Sequence, residues 1–183
     1  MGKRVNVIAM AMLCAAAFQC FSLEPVSKEI NVDGLSHQIS LGRLDEDPPH
    51  FVIQESVSNP ARDISRFSMT ATFTEECALR TLVVVIVGAK SFMASGELEW
   101  LFPQGSRFNL YGKTTSKPDK EGQISQTLSF ISGLTDFCSH ASAVTDGTAV
   151  LKIYDKKGTT REFALPSEFF SLIADLKAAV AYR

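Results

Sequence analysis

The stretch FSMTATF, residues 67–73, decides the fold class of this chain of 183 residues. Its apolar positions alternate with small hydroxyl-bearing positions: Phe67, Met69, Ala71 and Phe73 against Ser68, Thr70 and Thr72. Successive side chains of a β-strand point to opposite faces of its sheet. The alternation therefore predicts a strand with one face in the core and the other towards water.

Three further stretches around residues 67–73 predict strands. Residues 82–87, LVVVIV, are apolar throughout and end at Gly88, which is typical of a central strand covered on both faces. Residues 51–57 favour a short strand. Leu98, Trp100 and Phe102 alternate with Glu97 and Glu99 and indicate another.

Two hairpins are predicted from their turn residues. Asp33-Gly34 is typical of a type I′ turn, which would pair Val32 with Leu35 and Ile30 with His37. Near the carboxyl end, residues 155–158 would join strands 150–154 and 159–165. That loop ends in Gly158, which favours a type I turn closed by a left-handed residue.

Two segments show helical spacing. Pro166, Ser167 and Glu168 open an amphipathic C-terminal helix with the apolar stripe Phe169, Phe170, Leu172, Ile173, Leu176, Ala179 and Val180. Residues 124–141 also carry apolar side chains at steps of three and four, which predicts a second helix. Serine, threonine and Gly133 are weak helix formers in that segment, so a strand is the alternative.

The predicted fold is therefore α+β: about nine short strands in a largely antiparallel sheet, with both helices packed on one face. We expect residues 23–183 to form a single domain, with an acidic loop over residues 42–50 and a mobile loop over residues 113–122.

The first 22 residues have the features of a secretory signal peptide. Lys3 and Arg4 precede an apolar stretch from Val5 to Phe18. Small residues at Cys20 and Ser22 predict cleavage before Leu23, and Ala15–Ala17 offer an alternative cut before Phe18. We therefore expect an exported protein, periplasmic or secreted.

Two other readings of this amino terminus are disfavoured. The apolar stretch is shorter than the roughly 20 residues that cross a bilayer, so we expect no integral membrane span after cleavage. A lipid anchor on Cys20 would need a small residue before it, and Gln19 stands there.

The charge of the chain limits the classes of partner it can bind, and its cysteine content predicts a disulfide. Without Lys3 and Arg4, 16 of the 18 basic residues remain against 20 acidic ones, so the mature net charge is −4. No basic cluster is present, which argues against nucleic acid binding. In an oxidising compartment Cys77 and Cys138 are expected to form a disulfide.

Three sets of polar residues are candidates for chemistry. His37 falls on the apolar face of the first hairpin, as a buried ligand or acid–base group or simply a half-buried histidine. His50 follows the acidic residues Asp45, Glu46 and Asp47, which suit a cation, although a solvated loop explains them more simply.

The third set surrounds His140. With Cys138, Cys77, Glu75 and Glu76 it offers copper or zinc ligands, but helical spacing would turn Cys138 and His140 to different faces. With Asp136 and a serine it would resemble a hydrolase triad, although the chain lacks a nucleophile-elbow motif. No cofactor and no resident metal are predicted.

An aromatic group completes the candidates. It could line a pocket for a small apolar ligand or belong to the core: Trp100, Phe102, Phe108 and Tyr111.

The sequence therefore favours a non-catalytic envelope protein, a binding or interaction module. Its partner would be another envelope protein or a small apolar ligand, and an exposed sheet edge such as the strand at Phe51 could accept a partner strand. The alternatives are an extracytoplasmic hydrolase using Asp136 and His140, or a small outer-membrane β-barrel.

Overall fold

The computed structural model describes residues 26–44, 50–88, 91–118, 122–134, 137–142, 144 and 148–181. Within these ranges, the side chains of Leu44, Leu134, Cys138, Ser142 and residues 176–181 are not described.

The described residues form eleven strands and two helices. The strands are β1 Val26–Val32, β2 Leu35–Leu44, β3 His50–Ala61, β4 Ile64–Thr74, β5 Leu79–Gly88, β6 Ala94–Leu101, β7 Arg107–Tyr111, β8 Lys113–Pro118, β9 Ile124–Leu134, β10 Ala149–Asp155 and β11 Thr160–Leu165. The helices are α1 Phe137–Ser142 and α2 Ser167–Ala181. Most described residues lie in strands, so the structure is mainly β. The eleven strands exceed the nine that the sequence predicts.

The strands form two antiparallel sheets. The larger has the order β1-β2-β3-β4-β5-β9-β8, and the smaller has the order β11-β10-β6-β7. Every neighbouring pair runs antiparallel. The prediction of a largely antiparallel sheet with helices is confirmed at this level.

The core lies between the sheets. Phe67 of β4 stacks on Phe163 of β11 with ring centroids 4.2 Å apart. At the other end Trp100 is fully buried and meets the ring of Phe137 edge-on at 4.7 Å. The alternation over residues 67–73 is confirmed, since its four apolar side chains are all at most 1% exposed.

Both predicted hairpins are present, and the first has the expected register. In the first, Val32 pairs with Leu35 and Ile30 with His37, and Asp33 and Gly34 take φ values of 52° and 80°. In the second, Gly158 has a φ of 83°, but Tyr154 pairs with Thr160 and not with Thr159, as the predicted four-residue loop would require. The loop of the second hairpin is therefore one residue shorter than predicted, because Asp155 pairs with Thr159.

The predicted helix over residues 124–141 is wrong. Residues 124–134 form strand β9, which pairs with β5 on one side and β8 on the other, and only the short α1 follows. Leu128 and Phe130 are buried, whereas Ile131, assigned to the apolar helix face, is 89% exposed. Pairing on both edges satisfies the backbone of a segment whose serines and threonines form helices poorly.

Three predicted details of the larger sheet also differ. Residues 113–118 of the expected mobile loop form the edge strand β8, and residues 119–121 lie outside the described residues. The strand at Phe51 is the longer β3, which pairs on both sides and so offers no edge. In β5 the outer side chains of Val83, Val85 and Val87 are only partly buried.

Two more predictions concern chain ends and loops. The acidic loop is shorter than expected, because residues 42–44 belong to β2 and His50 begins β3, while residues 45–49 lie outside the described part. The C-terminal helix begins at Ser167, as its sequence predicts, and Phe169 and Phe170 are buried. Neither described helix is long and apolar enough to cross a membrane.

Candidate functional site

The most unusual feature of the interior is a buried ion-pair partnership between His37 and Glu55. His37 is 2% exposed and Glu55 is 1% exposed. The Nδ1 atom of His37 lies 2.7 Å from Oε1 of Glu55, so that the two atoms share one proton in a hydrogen bond. Two ionisable side chains are therefore held together where almost no water reaches them.

Strand register brings these two residues together. In the pairing of β2 with β3, His37 stands opposite Val57 and Ile39 stands opposite Glu55. The two polar side chains are diagonal neighbours on the inward face of the larger sheet, a distance that long side chains can bridge.

Burial sets the electrostatics of the pair. Loss of water around the carboxylate raises the pKa of Glu55, while the hydrogen bond and the charge of His37 act in the opposite direction. The net shift is upward, so burial prevails. The hydrogen bond between the two groups limits the large penalty for burying an isolated ion.

One acceptor of the pair is left unused. The second carboxylate oxygen, Oε2 of Glu55, is buried and makes no hydrogen bond with any described residue. A buried polar atom without a partner costs free energy on the order of 1–3 kcal/mol. A structure retains such an atom most readily where another role requires the group.

A pocket opens beside His37. Its apolar walls include Leu35, Val57, Phe67 and Phe163, and it is partly open to solvent. Because Nδ1 faces Glu55, Nε2 is the ring nitrogen left for a group that enters the pocket. The site therefore combines apolar walls with one polar contact backed by a carboxyl.

The rim of the pocket is acidic. Asp33, in the turn between β1 and β2, and Glu162, in β11, both line it. Among the described lining residues there is no lysine or arginine, and no serine, threonine or cysteine that could act as a nucleophile. This composition suits binding better than covalent catalysis.

The acidic-loop candidate is only partly described. His50 is 4% exposed, and Nη1 of Arg80 donates a hydrogen bond to its Nε2 at 2.9 Å. The proposed ligands Asp45, Glu46 and Asp47 lie outside the described residues. The cation hypothesis for this loop thus remains a prediction.

The candidates around His140 are divided. The His140 ring packs edge-on against Phe108, with centroids 5.1 Å apart. Asp136 and the side chain of Cys138 lie outside the described residues, so the triad and the metal set stay predictions. Within the described part of the chain, no group of three metal-ligating side chains occurs.

Cys77 is buried in the turn after β4. Leu79, two residues later, pairs with Leu134, just before α1. Phe137 of α1 packs against Phe73 at 5.6 Å. These contacts bring the chain around residue 138 near Cys77, and the pairing of Cys77 with Cys138 stays a prediction.

The aromatic candidates do not form one cluster. Trp100 and Phe102 stack in the core at 6.0 Å, and Phe108 packs edge-on against Phe102 at 5.7 Å. Tyr111 is 70% exposed. These rings contribute to packing, and none of them lines the pocket beside His37.

Sequence reasoning identified His37 and missed Glu55. The missing signal was the parity of the strand that contains it. Alternate positions of β3 place Ile53, Glu55 and Val57 on the buried face. Glu55 alternates in sequence with the buried aliphatic residues of its strand, and His37 does the same in the neighbouring strand. Taken together, these two alternations would have predicted the pair.

Comparisons of the chain with protein-family models, with curated proteins and with solved structures found no match. The site is therefore interpreted from its own geometry and chemistry.

Proposed function

We propose that this chain is an exported, non-catalytic binding module whose binding site is the pocket beside His37. The ligand group that enters the pocket is small and apolar and carries one polar atom. The observation that carries the proposal is that His37 lines this pocket while its Nδ1 is hydrogen-bonded to the buried carboxyl of Glu55 behind it.

The chemistry of the pocket supports binding by shape and one directed hydrogen bond. Leu35, Val57 and Phe67 offer apolar surface, and burial of such surface supplies most of the affinity at small-molecule sites. His37 adds orientation, because Glu55 fixes the ring through Nδ1. The other ring nitrogen, Nε2, is the atom that supplies the directed hydrogen bond to the ligand.

Export rests on the amino-terminal sequence. Residues 1–22 combine a basic start, an apolar core and small residues before Leu23, which is the pattern of a cleaved signal. The periplasm or the cell exterior is the compartment that we propose.

Histidine-selective NMR tests the binding site directly, since the chain has 3 histidines. The probe is acetyl-valinamide, which has a small aliphatic group and amide hydrogen-bonding atoms. We expect millimolar probe to shift the ring ¹⁵N signals of His37 and to leave those of His50 and His140 in place.

His37→Phe is the matched variant, because a phenyl ring keeps most of the volume of the imidazole. In this variant, acetyl-valinamide should no longer cause a saturable shift of the NMR signals from methyl groups that line the pocket. Circular dichroism shows whether the variant is folded. Unchanged His37 signals at saturating probe, in a folded wild-type sample, would remove this pocket as the binding site.

A further inference from the structure

The pocket beside His37 lies along an edge of the smaller sheet. That sheet ends at β11, which pairs with β10 on one side and, in the described part of the chain, with no strand on the other. Phe163 and Ala164 of β11 line the pocket. The pocket is thus bordered by backbone groups of an unpaired strand edge.

The larger sheet extends beyond this edge. The ring of Phe163 in β11 stacks on Phe67 in β4. Strands β3, β2 and β1 continue outward from β4. Helix α2 packs against β3. The inner faces of β2 and β3 around His37 and Val57 form the floor of a groove. The sides of the groove are β11 and the hairpin turn at Asp33.

The β11 edge is less protected than the outer edge of β8. β8 carries Lys113, Lys117 and Pro118, a combination that discourages strand addition. In β11 the charged Arg161 is held by Asp63 at 2.6 Å, and Glu162 is paired with Lys152 at 3.3 Å. The rest of β11, residues 163–165, carries no charge and no proline.

The charges along the groove select the partner. Both charged residues at the rim, Asp33 and Glu162, are acidic and exposed. The Glu162 side chain stays 57% exposed while it pairs with Lys152, so a second cation can still reach it. Phe163 points into the core, so its neighbour Glu162 points to the outer face of the sheet. A residue of an added strand that inserts into the pocket would likewise have neighbours pointing outward, beside Glu162.

We propose that the groove binds an extended peptide segment of a partner protein by β-strand addition to β11. A small aliphatic side chain of the peptide enters the pocket beside His37, and basic residues on either side of it lie next to Asp33 and Glu162. This inference rests on the proposed function of the same pocket and names its ligand class.

The test uses a fluorescent pentapeptide, acetyl-Thr-Lys-Val-Lys-Thr-amide, with the full mature chain. We expect fluorescence anisotropy to report saturable binding and histidine NMR to report the shift of His37. The charge-reversed peptide acetyl-Thr-Glu-Val-Glu-Thr-amide should bind at least about fivefold more weakly, the size of one or two exposed ion pairs. Equal affinity of the two peptides would show that Asp33 and Glu162 do not select a basic peptide.

Backbone methylation tests the strand pairing. Successive backbone amides of an extended strand point to opposite edges. Two peptides are therefore made, one methylated on the odd-numbered amides and one on the even-numbered amides, so that one of them blocks the edge that faces β11. One of the two should lose about tenfold in affinity, as expected for the loss of one or two backbone hydrogen bonds. Parent-like affinity of both methylated peptides would overturn strand addition.

The two proposals fail in different ways. If acetyl-valinamide shifts His37 and the pentapeptide binds no better, the pocket stands as a binding site and the peptide inference is wrong. If neither probe shifts His37 in the folded protein, both proposals fall.

A protein variant gives an independent check. Glu162→Gln should weaken the lysine peptide by about two- to fivefold. Asp175→Asn, at an exposed aspartate of α2, is the control and should leave the affinity unchanged. Identical affinities of wild type and Glu162→Gln would contradict the placement of the basic residues.

Discussion

At the scale of single residues, Glu55 is the group that most affects both stability and site chemistry. It is almost completely inaccessible, its pKa is raised by burial, and one of its oxygens has no described partner. His37 offsets part of that cost through Nδ1. A fully apolar pair at these positions would pack without an unpaired atom, which is why we connect the pair with binding.

The first prediction follows from the raised pKa of Glu55. A carboxyl with a raised pKa in the folded state stabilises the fold below its ordinary value of 4.5 and loses that contribution as the pH rises through the folded-state pKa. Glu55→Gln removes the titration and keeps the shape. Relative to this variant, the wild type should therefore lose free energy of unfolding as the pH rises above 4.5, as measured by urea denaturation.

Glu76→Gln serves as the control for this series, because Glu76 is exposed. Its difference from wild type should stay nearly constant across the same pH range. A wild type that gains stability over Glu55→Gln with rising pH would show that attraction to His37 prevails over burial.

At the scale of elements, close contacts between strands and turns fix the larger sheet. Gly88 ends β5 where the turn between β3 and β4 passes over it, and a Cβ at residue 88 would lie 2.2 Å from the carbonyl oxygen of Asp63. The same turn carries the Asp63 carboxylate that binds Arg161 of β11. This contact therefore positions the end of the sandwich that contains the pocket.

The second prediction compares two glycines. Gly88→Ala should destabilise the protein by about 1–3 kcal/mol or more, because backbone must move to admit the methyl group. Gly133→Ala is the matched control, since a Cβ at Gly133 in β9 would meet nothing within 4 Å. Thermal and urea unfolding measure both. Equal stabilities of the two variants would contradict the close approach at Gly88.

At the scale of the whole molecule, export and the disulfide belong together. We propose a mature chain that begins at Leu23 and folds where thiols oxidise. The predicted Cys77–Cys138 bridge would close a loop of 61 positions. In the chain-entropy model such a loop stabilises the fold by about 4 kcal/mol, and losses of 2–5 kcal/mol are typical for small exported domains.

The third prediction is an export assay of the full chain. Mass spectrometry of the protein recovered from outside the cytoplasm should give a chain that starts at Leu23. Thiol labelling under denaturing, non-reducing conditions should find no reactive cysteine, and two after reduction. Intact protein that still begins at Met1, or free thiols in the exported chain, would contradict the compartment.

A fourth prediction concerns the bridge itself. Cys138→Ser should leave Cys77 reactive to thiol reagents in the unfolded protein and lower the free energy of unfolding by roughly 2–5 kcal/mol. The control is a measurement in the presence of reductant. The difference in free energy of unfolding between wild type and Cys138→Ser should then disappear. A Cys138→Ser chain whose Cys77 stays unreactive would show that another cysteine is the partner.

Local features could be predicted from the sequence alone: the register of the first hairpin, the presence of the second, the half-buried strand over residues 67–73 and the start of α2. Each depends on turn residues, alternation or a helix-opening pattern within a few positions of one another. The sequence also drew attention to His37, because its position on the apolar face could be read from the hairpin register.

Only the tertiary structure decided what depends on distant partners. Residues 124–134 have helical spacing but become β9, because β5 and β8 satisfy their backbone from both sides. Glu55 meets His37 only when β2 and β3 align, and His37 lines a pocket only because residues of β11 lie opposite it. Hydrogen bonds between strands and burial between sheets join residues far apart in the chain, and a local pattern carries no information about which of them meet.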